Sequence, residues 1–250
     1  MPVAQTKPTI VLVHGAWADA SSWTKVIQKL QAAGHNVVAP PNTLRGPSAD
    51  AAVIRSYLDT IDGSVVLVAH SYGGFVITNA AKGAANVKAL VYVDAFIPDE
   101  GQSAGALAGQ TSALLPALTD PTAVFKVVPI PGAPANVVDT YLLPEAVTAS
   151  FANDVSGEEA AVIHATQRPA SIAGLVEPSG PPAWKDIPAW AIIGSDDRII
   201  SPDSLRAMAQ NAGARITEVD ASHVSMVSHP QIVVEVIEEA MQEVGLLQPA

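Results

Sequence analysis

Apolar positions follow two alternating rhythms along the chain. Thr9–Val13 (TIVLV), Val65–Ala69 (VVLVA), Val87–Val93 (VKALVYV) and Ala189–Gly194 (AWAIIG) are apolar at nearly every position and read as strands buried on both faces. Ser22–Ala33 instead sets Trp23, Val26, Ile27 and Leu30 at helical spacing, and Gly34 stops it. Ala49–Ile61, closed by Gly63, and Tyr72–Ala84 read as further helices, and Asn36–Ala39, ended by Pro40-Pro41, as a short strand. After Pro188 the alternation returns with a helix over Asp203–Asn211, a strand over Arg215–Val219 and a helix over Pro230–Val244. This order predicts an α/β fold, a mostly parallel twisted sheet flanked by helices on both sides.

Between Phe96 and Asp186 the rhythm breaks. Of the 20 prolines, 11 lie from Pro98 to Pro182, so helix signals there are short and no strand run matches the earlier ones. The simplest organisation is one domain of 250 residues. Its core is 1–95 and 187–250, and a largely helical cap, about 96–186, is inserted between two strands. Such an insertion is expected over the carboxyl ends of the strands, where sheets of this kind bind ligands.

Composition narrows the function. Hydrophobic residues make up 49% and charged residues 15%, which excludes intrinsic disorder. The apolar runs fall far short of the roughly 20 residues that span a bilayer. Thirteen basic against 24 acidic residues give a net charge of −11, which argues against nucleic acid and anionic membranes as partners and leaves small molecules. The start of the chain, Met1–Pro8, lacks a basic segment followed by an apolar stretch, so a cytoplasmic location is expected. The absence of cysteine excludes disulfides, a thiolate nucleophile and thiolate metal sites, and no metal is expected. A monomer and a homodimer both fit.

The chemistry-bearing run is Ala69-His70-Ser71-Tyr72-Gly73-Gly74, between the VVLVA strand and a helix. A serine on such a strand-to-helix turn projects its hydroxyl above the sheet, and small residues two positions either side let strand and helix approach. Ala69 stands where G-x-S-x-G has its first glycine. A serine nucleophile needs a base, and the base an orienting acid, in the chain order Ser, acid, His. Gly194-Ser195-Asp196-Asp197 and Ala221-Ser222-His223 each leave a strand on the same sheet edge as Ser71. Ser71, His223 and Asp197 are therefore the candidate triad, with Asp196 and Asp94 as alternative acids. The backbone N–H groups of Tyr72 and of Ala16, in His14-Gly15-Ala16-Trp17, are the candidate oxyanion hole. Trp17 and His164 are candidate substrate-binding residues; core packing for Trp17 and a structural place for His164 are the alternatives. His14 and His70 read as structural hydrogen-bonding neighbours, His35 as the start of a strand, and His229 as lying near a helix start.

With these motifs the chain resembles the serine α/β-hydrolases. The run His14-Gly15-Ala16-Trp17-Ala18-Asp19-Ala20-Ser21-Ser22-Trp23 is similar to small esterases of the methyl-salicylate esterase and hydroxynitrile lyase group. The resemblance implies an α/β-hydrolase fold and a cofactor-free esterase working through an acyl-enzyme. It also implies a cap that builds much of the pocket for a small or medium apolar ester. Hydroxynitrile lyase, perhydrolase and ligand-receptor activities occur on the same scaffold. The lyases typically carry lysine after the catalytic histidine and threonine on the strand before the oxyanion loop; here Val224 and Ile10–Val13 stand there. Ser71 excludes the aspartate-nucleophile mechanism of haloalkane dehalogenases and epoxide hydrolases, and the lack of cysteine excludes that of dienelactone hydrolases.

Overall fold

The strand and helix rhythms materialise in the computed structural model, which describes residues 7–134 and 137–247. The first six residues, read above for a leader, lie outside it. β1 (Thr9–Val13), α1 (Thr24–Ala32), β2 (Asn36–Val38), α2 (Pro47–Leu58), β3 (Val65–His70), α3 (Gly73–Ala80) and β4 (Val87–Val93) precede the long insertion. β8 (Ala189–Gly194), α7 (Pro202–Asn211), β9 (Arg215–Val219), α8 (Ser225–Ser228) and α9 (Pro230–Glu243) follow it. The six strands pair in the order β2-β1-β3-β4-β8-β9, and every pairing is parallel.

β1, β3 and β8 are buried at every position, which is why they lack the alternation of a half-exposed strand. Right-handed crossovers place helices by the direction the chain travels along the sheet. The step from β1 to β2 runs one way and every later step runs the other. α1 therefore packs with α9, and α2 with α3 on the opposite face. Trp23, Val26 and Leu30 seal the α1 side with no exposed surface, each worth about 1.5–3 kcal/mol of burial. The reversal between β1 and β3 opens a crevice at their carboxyl ends, the topological switch point where ligands bind. The Ser71 turn and the His14–Trp17 loop flank it.

Helix ends shift where tertiary contacts override local pattern. α2 begins at Pro47, whose fixed φ suits a first helical position. α3 stops at Ala80, short of the predicted Ala84. There the Arg55 guanidinium takes the carbonyls of Ala80, Lys82 and Gly83 at 3.5, 2.9 and 3.3 Å, a cation on a helix carboxyl end.

The insertion holds α4 (Ala104–Leu107), α5 (Pro144–Ala146), which runs on into a π-helical turn over Val147–Phe151, and α6 (Gly157–Ala165). It also contains strands that the sequence did not reveal. β5 (Phe125–Pro129), β6 (Val138–Leu142) and β7 (Ala170–Ser171) form an antiparallel sheet.

One close approach fixes α3 against the exit of β4. A Cβ on Gly74 would lie 1.9 Å from the Phe96 carbonyl oxygen. Gly74→Ala is therefore expected to cost about 3 kcal/mol or more, read as a lower urea midpoint. Gly157→Ala opens α6 and meets nothing within 4 Å, so it is expected to be neutral or stabilising by up to about 1 kcal/mol. Equal midpoints for the two variants would contradict the close approach.

Candidate active site

Five loops at the carboxyl edge of the sheet converge on the crevice. Ser71 leaves β3 with φ 52°, a left-handed conformation that is costly for serine and suited to lifting its hydroxyl off the sheet. Ala69 is fully buried beneath the turn, so alanine serves where a glycine was the expected small residue. Gly15 lies against the turn: a Cβ there would meet Ser71 Cβ at 2.7 Å. Trp17 and Asp94, after β1 and β4, also have positive φ, 55° and 45°.

Ser71 Oγ lies 2.8 Å from His223 Nε2, and His223 Nδ1 lies 2.6 Å from Asp197 Oδ2. The other Asp197 oxygen accepts the N–H groups of Ile199 and Ile200 at 2.8 and 2.9 Å. A carboxylate only accepts, so Nδ1 carries the proton and Nε2 accepts from the serine hydroxyl. His223 has no exposed surface, and Ser71 and Asp197 are 3% and 4% exposed, so the hydrogen-bonded chain is shielded from water. Asp196 points elsewhere: Arg198 donates to it at 2.9 and 3.1 Å and Asn153 at 2.6 Å.

Asp94 is buried below the same loops. One oxygen accepts the Gly194 N–H at 2.8 Å; the other accepts the Ser225 N–H at 3.0 Å and hydroxyl at 2.6 Å. It thereby ties the end of β8 to the residue two beyond His223. Burial pushes its carboxyl up to about 7, and the charge of Asp197 pushes the same way, against His223 and the Ser225 hydrogen bonds.

The remaining histidines keep structural places. His70 Nε2 donates to the His223 carbonyl at 2.7 Å, and burial drives its pKa well down, so it is a neutral support for the histidine loop. His14 accepts the Asn42 N–H at 2.9 Å and donates to the Gly15 carbonyl at 2.9 Å; burial lowers its pKa too. His35 pairs with Glu238 at 2.9 Å, and His229 stands at the start of α9 with its Nδ1 2.9 Å from Ser228 Oγ. His164 stands half-buried on α6 and does not line the cavity, which corrects its expected substrate-binding place; nothing but residue type marked it.

A cavity of about 300 Å³ opens above Ser71. Ala16, Trp17 and Tyr72 line it together with Phe125, Leu118, Leu175 and other apolar residues of the insertion. The polar groups at its walls point away. Trp17 Nε1 donates to Thr140 Oγ1 at 3.1 Å, the Tyr72 hydroxyl to Asp50 at 2.7 Å, and the Ser112 hydroxyl to the Ile199 carbonyl at 2.6 Å. Burial, then Asp50, drive the Tyr72 phenol pKa far up, so it stays neutral. Among the described residues, the Ala16 and Tyr72 N–H groups have no protein acceptor, and no cluster of three or more His, Asp or Glu could hold a metal. The sequence did not single out Asp50, or the insertion residues of the wall.

The Alpha/beta hydrolase family matches residues 10–236. The chain belongs to the alpha/beta hydrolase family. It is 40% identical, over 39% of its length, to the carbendazim hydrolyzing esterase of Nocardioides sp. (strain SG-4G), and 37% identical, over 37% of its length, to putative methylesterase 19 of Arabidopsis thaliana. Those matches span 46% and 42% of the relatives' own lengths. The crystal structure of polyneuridine aldehyde esterase shares the fold, with a TM-score of 0.73 at 20% identity over 94% of this chain and 99% of that one. No helix among the described residues is long and apolar enough to cross a membrane.

The buried Asp94 sets a pH dependence. An unfolded carboxyl ionises near 3.8, whereas the folded one keeps its proton to about 7. Across that window the folded state binds the extra proton, so stability falls as pH rises and levels off above it. The denaturant midpoint of the wild type, relative to Asp94→Asn, is expected to decline between about pH 4 and pH 7. A difference that stays constant across that range would exclude this contribution.

Proposed function

We propose that the protein is a serine carboxylic ester hydrolase acting on neutral, apolar esters. The observation that carries this reading is the hydrogen-bonded chain from Ser71 through His223 to Asp197, opening into an apolar cavity. Ser71 Oγ attacks the ester carbonyl carbon while His223 Nε2 takes the hydroxyl proton. Asp197 keeps Nδ1 protonated and stabilises the imidazolium that forms. The charge developing on the carbonyl oxygen faces the Ala16 and Tyr72 N–H groups at the positive end of α3. Collapse breaks the bond to the alcohol, which leaves with the proton from His223. Water, deprotonated by His223, then frees the acid from the serine.

Residues 96–186 act as the cap. They supply Leu118, Phe125 and Leu175 to the cavity wall, Trp17 adds its ring, and among the described residues no charged side chain lines that wall. A substrate carboxylate would lose its hydration there without a compensating cation. The esterase names of the two relatives support the same reaction class. Val224 after the histidine, and Ile10–Val13 before the oxyanion loop where the lyases carry threonine, favour hydrolysis over cyanide chemistry.

Short-chain p-nitrophenyl esters are the expected substrates. Ser71→Ala, His223→Ala and Asp197→Asn should each lower kcat by about 10³-fold or more. Asp196→Asn should stay within about fivefold of wild type, because an exposed ion pair is worth at most about 1 kcal/mol. Full activity in Ser71→Ala, or cyanide release from mandelonitrile without ester hydrolysis, would overturn the proposal. Among esters of similar size, one with a terminal carboxylate in the acyl group should show kcat/KM lower by about 100-fold. Equal values would refute the apolar specificity.

A further inference from the structure

One short stretch of the cap, Ala149–Asp154, touches both loops that carry the partners of Ser71. The Ala149 carbonyl accepts from Arg198 at 2.9 Å, and Asn153 donates to Asp196 at 2.6 Å, on the two sides of Asp197. Phe151, 1% exposed, meets the His223 ring edge-on with centroids 5.2 Å apart. Asp154 grips the residue before His223 with both oxygens. One accepts the Ser222 N–H at 2.9 Å and the other the Ser222 hydroxyl at 2.5 Å. Ser222 and His223 have no exposed surface, whereas Asp154 reaches in from the rim. The stretch begins within the π-helical turn Val147–Phe151, a local irregularity frequent at functional sites.

We infer that Asp154 is a positioning residue that acts through Ser222 to hold His223 in line with Ser71, so that the cap seats the catalytic base as well as walling the pocket. The inference rests on the reading of His223 as the base. The histidine loop enters from β9 at the sheet edge and needs support on its cap side. The His223 carbonyl is held from below by His70, and the Ser225 N–H by Asp94. The Ser222 N–H is held from above by Asp154. The peptide is thus held on both sides of the imidazole, and only the upper support comes from the cap. Burial works against ionisation of Asp154, but hydrogen bonds from Ser222 and Ser228 outweigh it and lower its pKa, so the carboxylate is the gripping form. Misplacement of a base by a fraction of an ångström lowers proton transfer without weakening substrate binding.

The test compares Asp154→Ala, Asp154→Asn and Ser222→Ala with wild type by p-nitrophenyl acetate kinetics. A second readout is the rate at which phenylmethylsulfonyl fluoride sulfonylates Ser71, followed by mass. Sulfonylation needs the base but no particular ester. Asp154→Ala should lower both kcat and the sulfonylation rate by about tenfold or more with KM within about threefold. Asp154→Asn, which keeps one acceptor for the Ser222 N–H, should recover most of both. Adding Ser222→Ala to Asp154→Ala should cost little more, because the two act as one unit. Wild-type rates in Asp154→Ala, additive losses in the double variant, or a raised KM with unchanged kcat would each overturn the inference. If Asp154→Ala fails to fold, Ser222→Ala decides, since it removes one grip without touching the cap; an unchanged sulfonylation rate there overturns the inference. A wild type that hydrolyses no ester, yet is sulfonylated more slowly when Asp154 is changed, would refute the esterase reading and leave the positioning role standing.

Discussion

The site depends on a turn that the chain would not adopt alone. Holding Ser71 at φ 52° costs about 1–3 kcal/mol, and the surroundings must over-determine it. They do so from both directions. The Ser71 N–H donates to the Val93 carbonyl at 3.3 Å, and its own carbonyl accepts from Gly74 at 2.9 Å and Phe96 at 3.2 Å. β4 and its exit thus clamp the turn, while β3, buried at every position, cannot slide to relieve it. The same clamp explains Gly74: a side chain there would push Phe96 away and release the strain. The strain becomes useful only because the sheet edge beside it carries the other loops.

Those loops are joined chiefly by hydrogen bonds to buried histidines and carboxyl groups. Asp50 accepts from the Tyr72 hydroxyl and from the Arg45 and Gly46 N–H groups, tying the entrance of α2 to the residue after the nucleophile. Asp94 and Asp197 likewise draw on N–H or O–H donors. A buried charge without such donors would be several kcal/mol too costly. A buried cation would instead sit permanently beside the hydrogen-bonded chain of Ser71, His223 and Asp197. Hydrogen bonds of fixed direction also orient loops, which a point charge does not.

How much of this could be read from the sequence follows from which contacts are local. β1, β4 and β8 have the boundaries the apolar runs predict, because burial on both faces leaves a nearly uninterrupted signature, and β9, a half-exposed edge strand, keeps its predicted bounds as well. Ser71, Asp197 and His223 were legible as candidates that meet in space because each follows a strand and the topology sends all strand ends to one edge. The choice of Asp197 over its neighbour was a matter of position in the sequence; the structure adds a reason, since Arg198 and Asn153 occupy Asp196. The short β5–β6–β7 sheet was hidden because Pro129 and the prolines after it blur the pattern, and because β7, only two residues long, pairs with β6 across the intervening α5 and α6. His164 shows the converse: a residue type suited to chemistry has no side-chain hydrogen-bond partner among the described residues and stands off the cavity. Asp154 gave no signal either, since its partner Ser222 is brought near only by the folded chain.

The cap therefore divides by function along its own length. Leu118 and Phe125 early in it, and Leu175 late in it, wall the cavity, whereas Ala149–Asp154 between them bear on the acid and histidine loops. The antiparallel sheet links the wall to the core, because Trp17 stacks on Phe125 with centroids 5.0 Å apart and donates to Thr140. Wall residues make mostly dispersion contacts, which tolerate exchange among apolar side chains of similar volume. The grip on Ser222 is directional and does not. On the proposed reading, a cap built this way can change the substrates it admits by altering Leu118 or Leu175 while its hold on the His223 loop stays fixed. That separation is what allows one sheet edge to keep its chemistry beneath a pocket of different shape.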